Sequence, residues 1–337
     1  MAQIKLGFIG CGSHATRNLQ PCVRLVPEID FVATCDISAA KAESNAKRFG
    51  AKQWYTDYRA MIETEELDVV AIVGHPKTMH TDMAIACMEL GKHVFIEKPP
   101  AINVGDAERL AETSARTGKF GMVATMWRHA TAHRMARRII TQAEFGEPIL
   151  FEGRYLAPSP RGAHETLEWA YLLDQGVHIV DCMRYLVGDV TRLRAFEHFG
   201  AGGRMAFAVS LQFENGAVGT LNMVAGAPAL ETSVMVAGDG GHAVHVHNMQ
   251  RVQYLKPDAW RGVGGYRDFP TLEWNQGTHY RGYGRHGYLE QMEHFAQSIL
   301  AGRQPRASLA DACEVMRICQ AIADSHGQSA SVQIRRD

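Results

Sequence analysis

Residues 4–15 run Ile4-Lys5-Leu6-Gly7-Phe8-Ile9-Gly10-Cys11-Gly12-Ser13-His14-Ala15. A short apolar strand pattern passes there into the opening of a helical one. Gly10, Gly12 and Ala15 make G-x-G-x-x-A in the context that gives the spacing meaning, behind a first strand and ahead of a helix. Gly10 permits a tight turn from strand to helix, Gly12 lets the backbone approach a pyrophosphate, and Ala15 keeps the helix close to the sheet. Ser13 and His14 fill the variable places. Phosphates would lie at the positive end of the helix that follows. The bland alternative is a structural turn with no ligand.

Outward from this loop, apolar runs alternate with helical patterns. Strands are predicted at Ile4 to Ile9, Phe31 to Asp36, Val69 to Val73, His93 to Ile96 and Lys119 to Ala124. Helices are predicted at Ala15 to Leu25, Ala39 to Phe49, Thr81 to Leu90 and Val104 to Thr117. Such alternation implies βαβ units on a parallel, doubly wound sheet, and near-continuous apolarity fits strands buried on both faces. Past residue 122 the pattern changes. Helices at Thr131 to Thr141 and Gly176 to Leu186 precede strands at Ala206 to Glu214, Ala217 to Met223 and Ser233 to Ala237, several of which alternate apolar with polar residues. Asn215-Gly216 is a hairpin signal, Asp258 to Arg285 reads as an irregular loop, and helices at His286 to Ala301 and Ser308 to Ser325 close the chain. The expected division is 1–122, a Rossmann-type α/β domain, and 123–337, a second α/β domain.

Composition sets the class. The chain is 46% hydrophobic and 21% charged with a formal net charge of −1, a globular balance with no basic field to draw nucleic acid or an acidic membrane. No run reaches the roughly 20 apolar residues of a membrane helix, and no secretory leader is expected. The seven cysteines are scattered without CxxC spacing, so free thiols in a reducing cytoplasm are expected.

Three further constellations carry chemistry. Asp36 ends the second strand near the roughly 20-residue offset at which an acid holds the ribose hydroxyls of a dinucleotide. With Ile37, Ser38 and Ala39 next and no arginine, it favours NAD over NADP; capping the next helix is the plainer use of the same residue. Gly91-Lys92-His93-Val94-Phe95-Ile96-Glu97-Lys98-Pro99 places Glu97 and Lys98 at the carboxyl edge of a parallel strand, where ligands of such sheets bind. A lysine there can stabilise developing negative charge on an oxygen. Asp174-Gln175-Gly176-Val177-His178-Ile179-Val180-Asp181 puts an acid and a histidine four apart, on one helical face, and histidine is the side chain best placed to exchange a proton near neutrality. Taken alone, the last two could be a surface turn and a packed histidine.

In this order and spacing the motifs resemble the glucose–fructose oxidoreductase / inositol dehydrogenase / MocA family across nearly the whole chain, including the hairpin Phe213-Glu214-Asn215-Gly216-Ala217-Val218-Gly219-Thr220. The resemblance implies a Rossmann domain, then an α/β domain on a large, mostly antiparallel open-faced sheet. It implies an active site between domains with Lys98, Asp174 and His178 as the catalytic set, and NAD as cofactor. Gly10, Gly12, Ser13, His14, Ala15, Asp36, Glu97 and Lys98 would contact that cofactor, with Pro76 and His80 in the loop beside the nicotinamide and the helix after it. Substrates would be sugars, cyclitols or their derivatives, and the protein a homodimer or homotetramer. Trp169-Ala170-Tyr171-Leu172-Leu173 departs from the glycines that members often carry before the catalytic acid, so the pocket shape there is open.

Arg128, Arg161, His164 and Trp169 are candidate substrate contacts, with Arg154, His129 and Glu165 similarly placed. His242, His245 and His247 have no acid or cysteine pattern beside them, so no metal site is expected. Two rival functions stand: an NAD-holding enzyme that uses transient oxidation to process a glycoside, and a non-catalytic dinucleotide-binding regulator.

Overall fold

The computed structural model describes residues 2–158, 166–257, 271–277, 286–325 and 331–334. The first sheet holds β1 (Ile4–Ile9), β2 (Ile29–Cys35), β3 (Gln53–Tyr55), β4 (Val69–Ile72), β5 (His93–Ile96) and β6 (Gly121–Val123). Their order is β3-β2-β1-β4-β5-β6, and every pairing is parallel. The order reverses between β1 and β4, and the crevice beyond the strand ends at such a reversal is where doubly wound sheets bind ligands. All four residues of β4 have no exposed surface, nor do Leu6 and Phe8 of β1, because helices cover both faces. The helix Ala39–Phe49 ends where Gly50 takes φ +84°, a left-handed stop that a side chain would resist. Asn103 caps the helix Val104–Thr117, its side-chain oxygen accepting the Asp106 N–H at 2.8 Å.

The helix expected at Ala15 to Leu25 is divided. A π-helical turn spans Ala15–Leu19, and an α-helix follows at Gln20–Leu25. Pro21 is the physical cause: it has no N–H to donate and its ring crowds the carbonyl one turn back, so the ladder widens ahead of it.

The second sheet holds β7 (Pro148–Ala157), β8 (Val190–Phe199), β9 (Met205–Phe213), β10 (Val218–Ala225), β11 (Glu231–Gly238), β12 (Ala243–His247), β13 (Arg251–Leu255), β14 (Thr271–Asn275) and β15 (Val332–Gln333). The order is β14-β13-β12-β11-β7-β10-β9-β8-β15, antiparallel except where β10 runs parallel to β7. Burial alternates: Phe207, Val209, Leu211 and Phe213 of β9 face the core, while Ala208, Ser210 and Gln212 are exposed. Asn215-Gly216 makes the expected turn between β9 and β10. Within Asp258 to Arg285, read from sequence as irregular, β14 pairs with β13 from Arg251↔Asn275 to Leu255↔Thr271. The glycine-rich flanks hid five residues of strand.

Two compact units result, Met1–Met126 with Arg281–Met316, and Trp127–Tyr280 with Arg317–Asp337. Beside the expected 1–122 and 123–337, the first crossing falls a few residues later and a C-terminal segment returns to the first unit. There the Val123 N–H donates to the Ala307 carbonyl at 2.8 Å and the Gln304 amide to the Gly121 carbonyl at 2.9 Å. Phe295 meets Phe95 edge-on at 5.6 Å.

Candidate active site

In the first unit the glycine-rich loop departs from β1 at Gly10, whose φ is +97°. A Cβ there would lie 2.7 Å from the Val73 carbonyl carbon and oxygen, so the backbone just past β4 demands glycine. Gly12 differs. Its backbone is outside the left-handed region, and a Cβ would meet nothing within 4 Å. The fold has no use of its own for glycine at 12; open space against bare backbone is what a pyrophosphate needs. The chain is helical from residue 13 to residue 25, and Thr16 closes the first turn onto the Gly12 carbonyl through its N–H (3.0 Å) and hydroxyl (2.8 Å). A cavity of about 820 Å³ opens here, lined among others by Gly12, Ser13, Arg17, Lys41 and Arg48. Burial pushes the neighbouring Cys11 thiol up to about 11, so it is no nucleophile at neutral pH.

Asp36 stands just past β2. Its carboxylate accepts the Cys11 N–H at 2.8 Å and the Ser38 N–H at 2.9 Å. The acid is thus aimed across the fingerprint loop by two backbone donors, not used as the cap of the next helix. These residues fit a dinucleotide: a bare backbone for the phosphates, and a held carboxylate at the ribose position.

Glu97 and Lys98 follow β5. Glu97 is buried, and its Oε2 lies 3.5 Å from His14 Nε2. Burial alone would raise the Glu97 carboxyl, but the charges of His14, Lys98 and Lys77 outweigh it and hold the group below its ordinary range. The Glu97 charge in turn raises His14, against its own partial burial. His14 also meets the Tyr288 ring edge-on at 5.8 Å, and the Asn18 amide lies 3.2 Å from its Nδ1. An ion pair therefore ties the phosphate loop to the lysine-bearing loop. The peptides His75-Pro76 and Lys98-Pro99 are both cis. His80 has no exposed surface, and its ring nitrogens lie 2.9 Å from the Pro99 and Gly74 carbonyl oxygens. Its ring joins the two loops from behind and offers no surface to a ligand.

In the second unit Asp174 and His178 are 4% and 5% exposed. Asp174 lies in a π-helical turn, Leu172–Gly176, and His178 in the helix Val177–Leu186 that continues it; such turns recur at functional sites. A Cβ on Gly176 would crowd Leu172 at 3.2 Å, which makes glycine the residue that fits this packing. Around them stand residues that sequence reading did not single out. The Trp127 indole is stacked on the His178 imidazole with centroids 5.3 Å apart and planes 17° apart. Tyr155 of β7 donates its hydroxyl to Gln175 Oε1 at 2.5 Å. Burial, and then the charge of Asp174, push that phenol above its usual range. No local pattern joins Trp127 and Tyr155 to a motif decades of residues away.

Arg128 is held in the same neighbourhood, but by Asp181. Its Nε donates to Asp181 Oδ2 at 2.7 Å and its Nη2 to Oδ1, with both side chains almost wholly buried. A two-pronged guanidinium–carboxylate pair fixes geometry, so Arg128 braces the His178 helix. Trp169 is half-buried, and its backbone N–H donates to the Thr166 hydroxyl at 3.0 Å. Arg161 and His164 lie outside the described residues. His245 and His247 of β12 have ring centroids 3.7 Å apart, and His245 Nε2 lies 2.7 Å from the Ser233 hydroxyl. Among the described residues no three His, Cys, Asp or Glu side chains gather as metal ligands.

Two family models match successive stretches of the chain. Residues 4–125 match the oxidoreductase family with NAD-binding Rossmann fold, and residues 133–244 the GFO/IDH/MocA C-terminal domain. An inositol 2-dehydrogenase of Salmonella typhimurium is 28% identical over 188 residues, 55% of either chain; the chain thus spans about half the length of such relatives. A levoglucosan dehydrogenase of Pseudarthrobacter phenanthrenivorans is 24% identical over 339 residues, covering 87% of this chain and 86% of that one. The crystal structure of a dehydrogenase from Chromobacterium violaceum superposes with a TM-score of 0.89 at 23% identity, covering 97% and 96% of the two chains, and so shares the fold. Both family segments, matched in the order and with the sheets found here, make the chain a member of the Gfo/Idh/MocA family of NAD-binding oxidoreductases.

Proposed function

We propose that the protein is an NAD-dependent dehydrogenase acting on a secondary alcohol, or the corresponding ketone, of a sugar, cyclitol or sugar derivative. The observation that carries this is the buried Asp174–His178 turn, an acid and a proton acceptor held one helical turn apart. Held by the Gly10–Ala15 loop and Asp36, NAD would supply the acceptor for the hydride of the alcohol carbon. His178 takes the hydroxyl proton on a ring nitrogen, so O–H and C–H bonds break as the C=O bond forms. Lys98, at the carboxyl edge of β5, is the cation that can stabilise developing negative charge on a bound oxygen. Asp174 orients the imidazole and stabilises it once protonated. Reduction returns the same proton. The substrate class is supported by relatives named for inositol and levoglucosan.

The finer readings follow from single features. Asp36, with Ile37 after it, favours NAD over NADP, although Lys41, Arg17 and Arg48 around the adjoining cavity narrow the margin. The exposed face of the nine-stranded sheet, with Phe196 at 59% and Val218 at 53% exposure, supports self-association. Seven buried cysteines outside any disulfide support a reducing, cytoplasmic setting, and no helix among the described residues is long and apolar enough to cross a membrane.

The test is a panel of inositols, levoglucosan, keto-sugars and sugar acids with NAD and with NADP, read at the NADH absorbance. No turnover with any member removes the proposal. Product formation without NADH accumulation would move the reading to glycoside processing by transient oxidation.

A further inference from the structure

Trp127 stands next to Arg128 in sequence, and the two residues grip the same helix. Arg128 holds Asp181, while Trp127 lies flat on His178, three residues earlier and on the same helical face. The indole is itself fixed. It is 2% exposed, Tyr155 meets it edge-on at 5.0 Å, and the His133 ring stacks on it at 6.2 Å and 26°. His133 Nδ1 lies 2.9 Å from the Trp127 carbonyl oxygen and donates to it. Burial pushes His133 down to about 4, so it is a neutral brace at physiological pH. The order of support runs from His133 to Trp127 to His178.

We infer that Trp127 is a positioning residue for His178: the indole fixes the plane of the imidazole, and its π face favours the protonated ring that forms when substrate gives up its proton. This rests on His178 being the proton acceptor. Two effects follow from the stack. The imidazole cannot tilt without losing contact with the indole, so its nitrogen stays aimed. A cation over an indole face is stabilised, more so where water is excluded. That stabilisation corresponds to about half to one pH unit or somewhat more in the titration of the imidazole. A ring left free to tilt misplaces the acceptor, and misplacement of about 1 Å costs up to about 10²-fold in rate.

The experiment uses the full chain with Trp127→Leu, Trp127→Met and Trp127→Phe, each checked for folding by circular dichroism and for NAD affinity by calorimetry. Ring-¹⁵N-labelled histidine gives an NMR titration of His178, identified by the signal missing from His178→Gln. In Trp127→Leu the His178 ring protons should lose the upfield shift from the indole, and the titration should move to lower pH by about half to one unit. Trp127→Phe should keep most of both. With NAD and levoglucosan or myo-inositol as probes, kcat should fall about 10–100-fold in Trp127→Leu. KM and NAD affinity should stay within about twofold, and the acid limb of the pH profile should move with the NMR titration. Trp127→Met answers the same question with an unbranched apolar side chain should Trp127→Leu not fold. A folded Leu or Met variant with an unmoved His178 titration, or with wild-type kcat and acid limb, overturns the inference. Wild-type activity in His178→Gln would instead remove the proton-acceptor reading, and the two failures are read from different variants.

Discussion

Two glycines two residues apart, Gly10 and Gly12, should respond to substitution in opposite ways. Gly10→Ala forces a side chain into φ +97° and sets its Cβ 2.7 Å from the Val73 backbone. The left-handed conformation costs about 1–2 kcal/mol and a contact with rigid backbone about 1–3 more. A loss of about 3 kcal/mol lowers the melting temperature by roughly 6–12 °C in a domain of this size. Gly12→Val sets its Cβ where nothing lies within 4 Å, so stability without cofactor should change by less than about 0.5 kcal/mol. In the complex that side chain occupies the approach of the pyrophosphate. Losing two charge-assisted hydrogen bonds, about 1.5–3 kcal/mol each, weakens NAD by about 10²–10⁴-fold. Differential scanning fluorimetry without cofactor and calorimetric titration of NAD read the two axes separately. Normal NAD binding by Gly12→Val refutes the phosphate-loop reading, and an undiminished melt for Gly10→Ala refutes the steric one.

His178→Ala should lower turnover about 10²–10⁴-fold while leaving NAD affinity unchanged; single-turnover hydride transfer decides it, and a near-normal rate withdraws the assignment. Asp36 should make NAD bind about tenfold more tightly than NADP, and Asp36→Ser with Ile37→Arg should reverse the order, both read by calorimetry; equal wild-type affinities would dismiss the acid as the selector. Because Glu97 raises His14, the pair's contribution is complete below the ordinary histidine value near 6.5 and fades as pH climbs through the raised one. Glu97 is depressed, so on the acid side the contribution fades as pH drops through its lowered value. His14→Gln should therefore melt below the wild type at about pH 5–6 and level with it in alkaline buffer; a gap independent of pH contradicts the ion pair. Sedimentation at micromolar concentration should show a dimer or tetramer, and a monomer there removes the proposed sheet-face association.

What the sequence disclosed depended on how local the physics is. Val69–Ile72 reads as a buried strand because both faces are covered, and the helix Ala39–Phe49 reads to its end because Gly50 stops it. β8 was missed because Arg192, Arg194 and Glu197 on a strand solvated on one face break the apolar run, and β15 is two residues paired with β8. Site positions set by short motifs, Gly10 to Ala15 and Asp174 to His178, were legible as motifs. Their surroundings were not. Arg128 gives no sign in sequence that Asp181 takes up its charge, and the stacking of Trp127 on His178 joins segments with no common periodicity. Pro21 was visible, yet its effect on the preceding turn depends on a carbonyl that only the fold positions.

The return of the chain to its first unit carries a cost during synthesis. β6 is the last strand of the six-stranded sheet, and the segment about Gln304 to Ser308 lies along it, through the Val123–Ala307 and Gly121–Gln304 hydrogen bonds and the Met122–Ser308 bridge. Phe95 likewise waits for Phe295. At about 5–20 residues per second, the ribosome needs roughly 10–40 s after Met126 to reach Met316. Through that interval the nascent sheet presents an unpaired edge of the kind that recruits other strands. A fragment ending at Met126 would keep that edge for good, so it should precipitate, whereas one that restores residues 286–316 in trans should remain in solution.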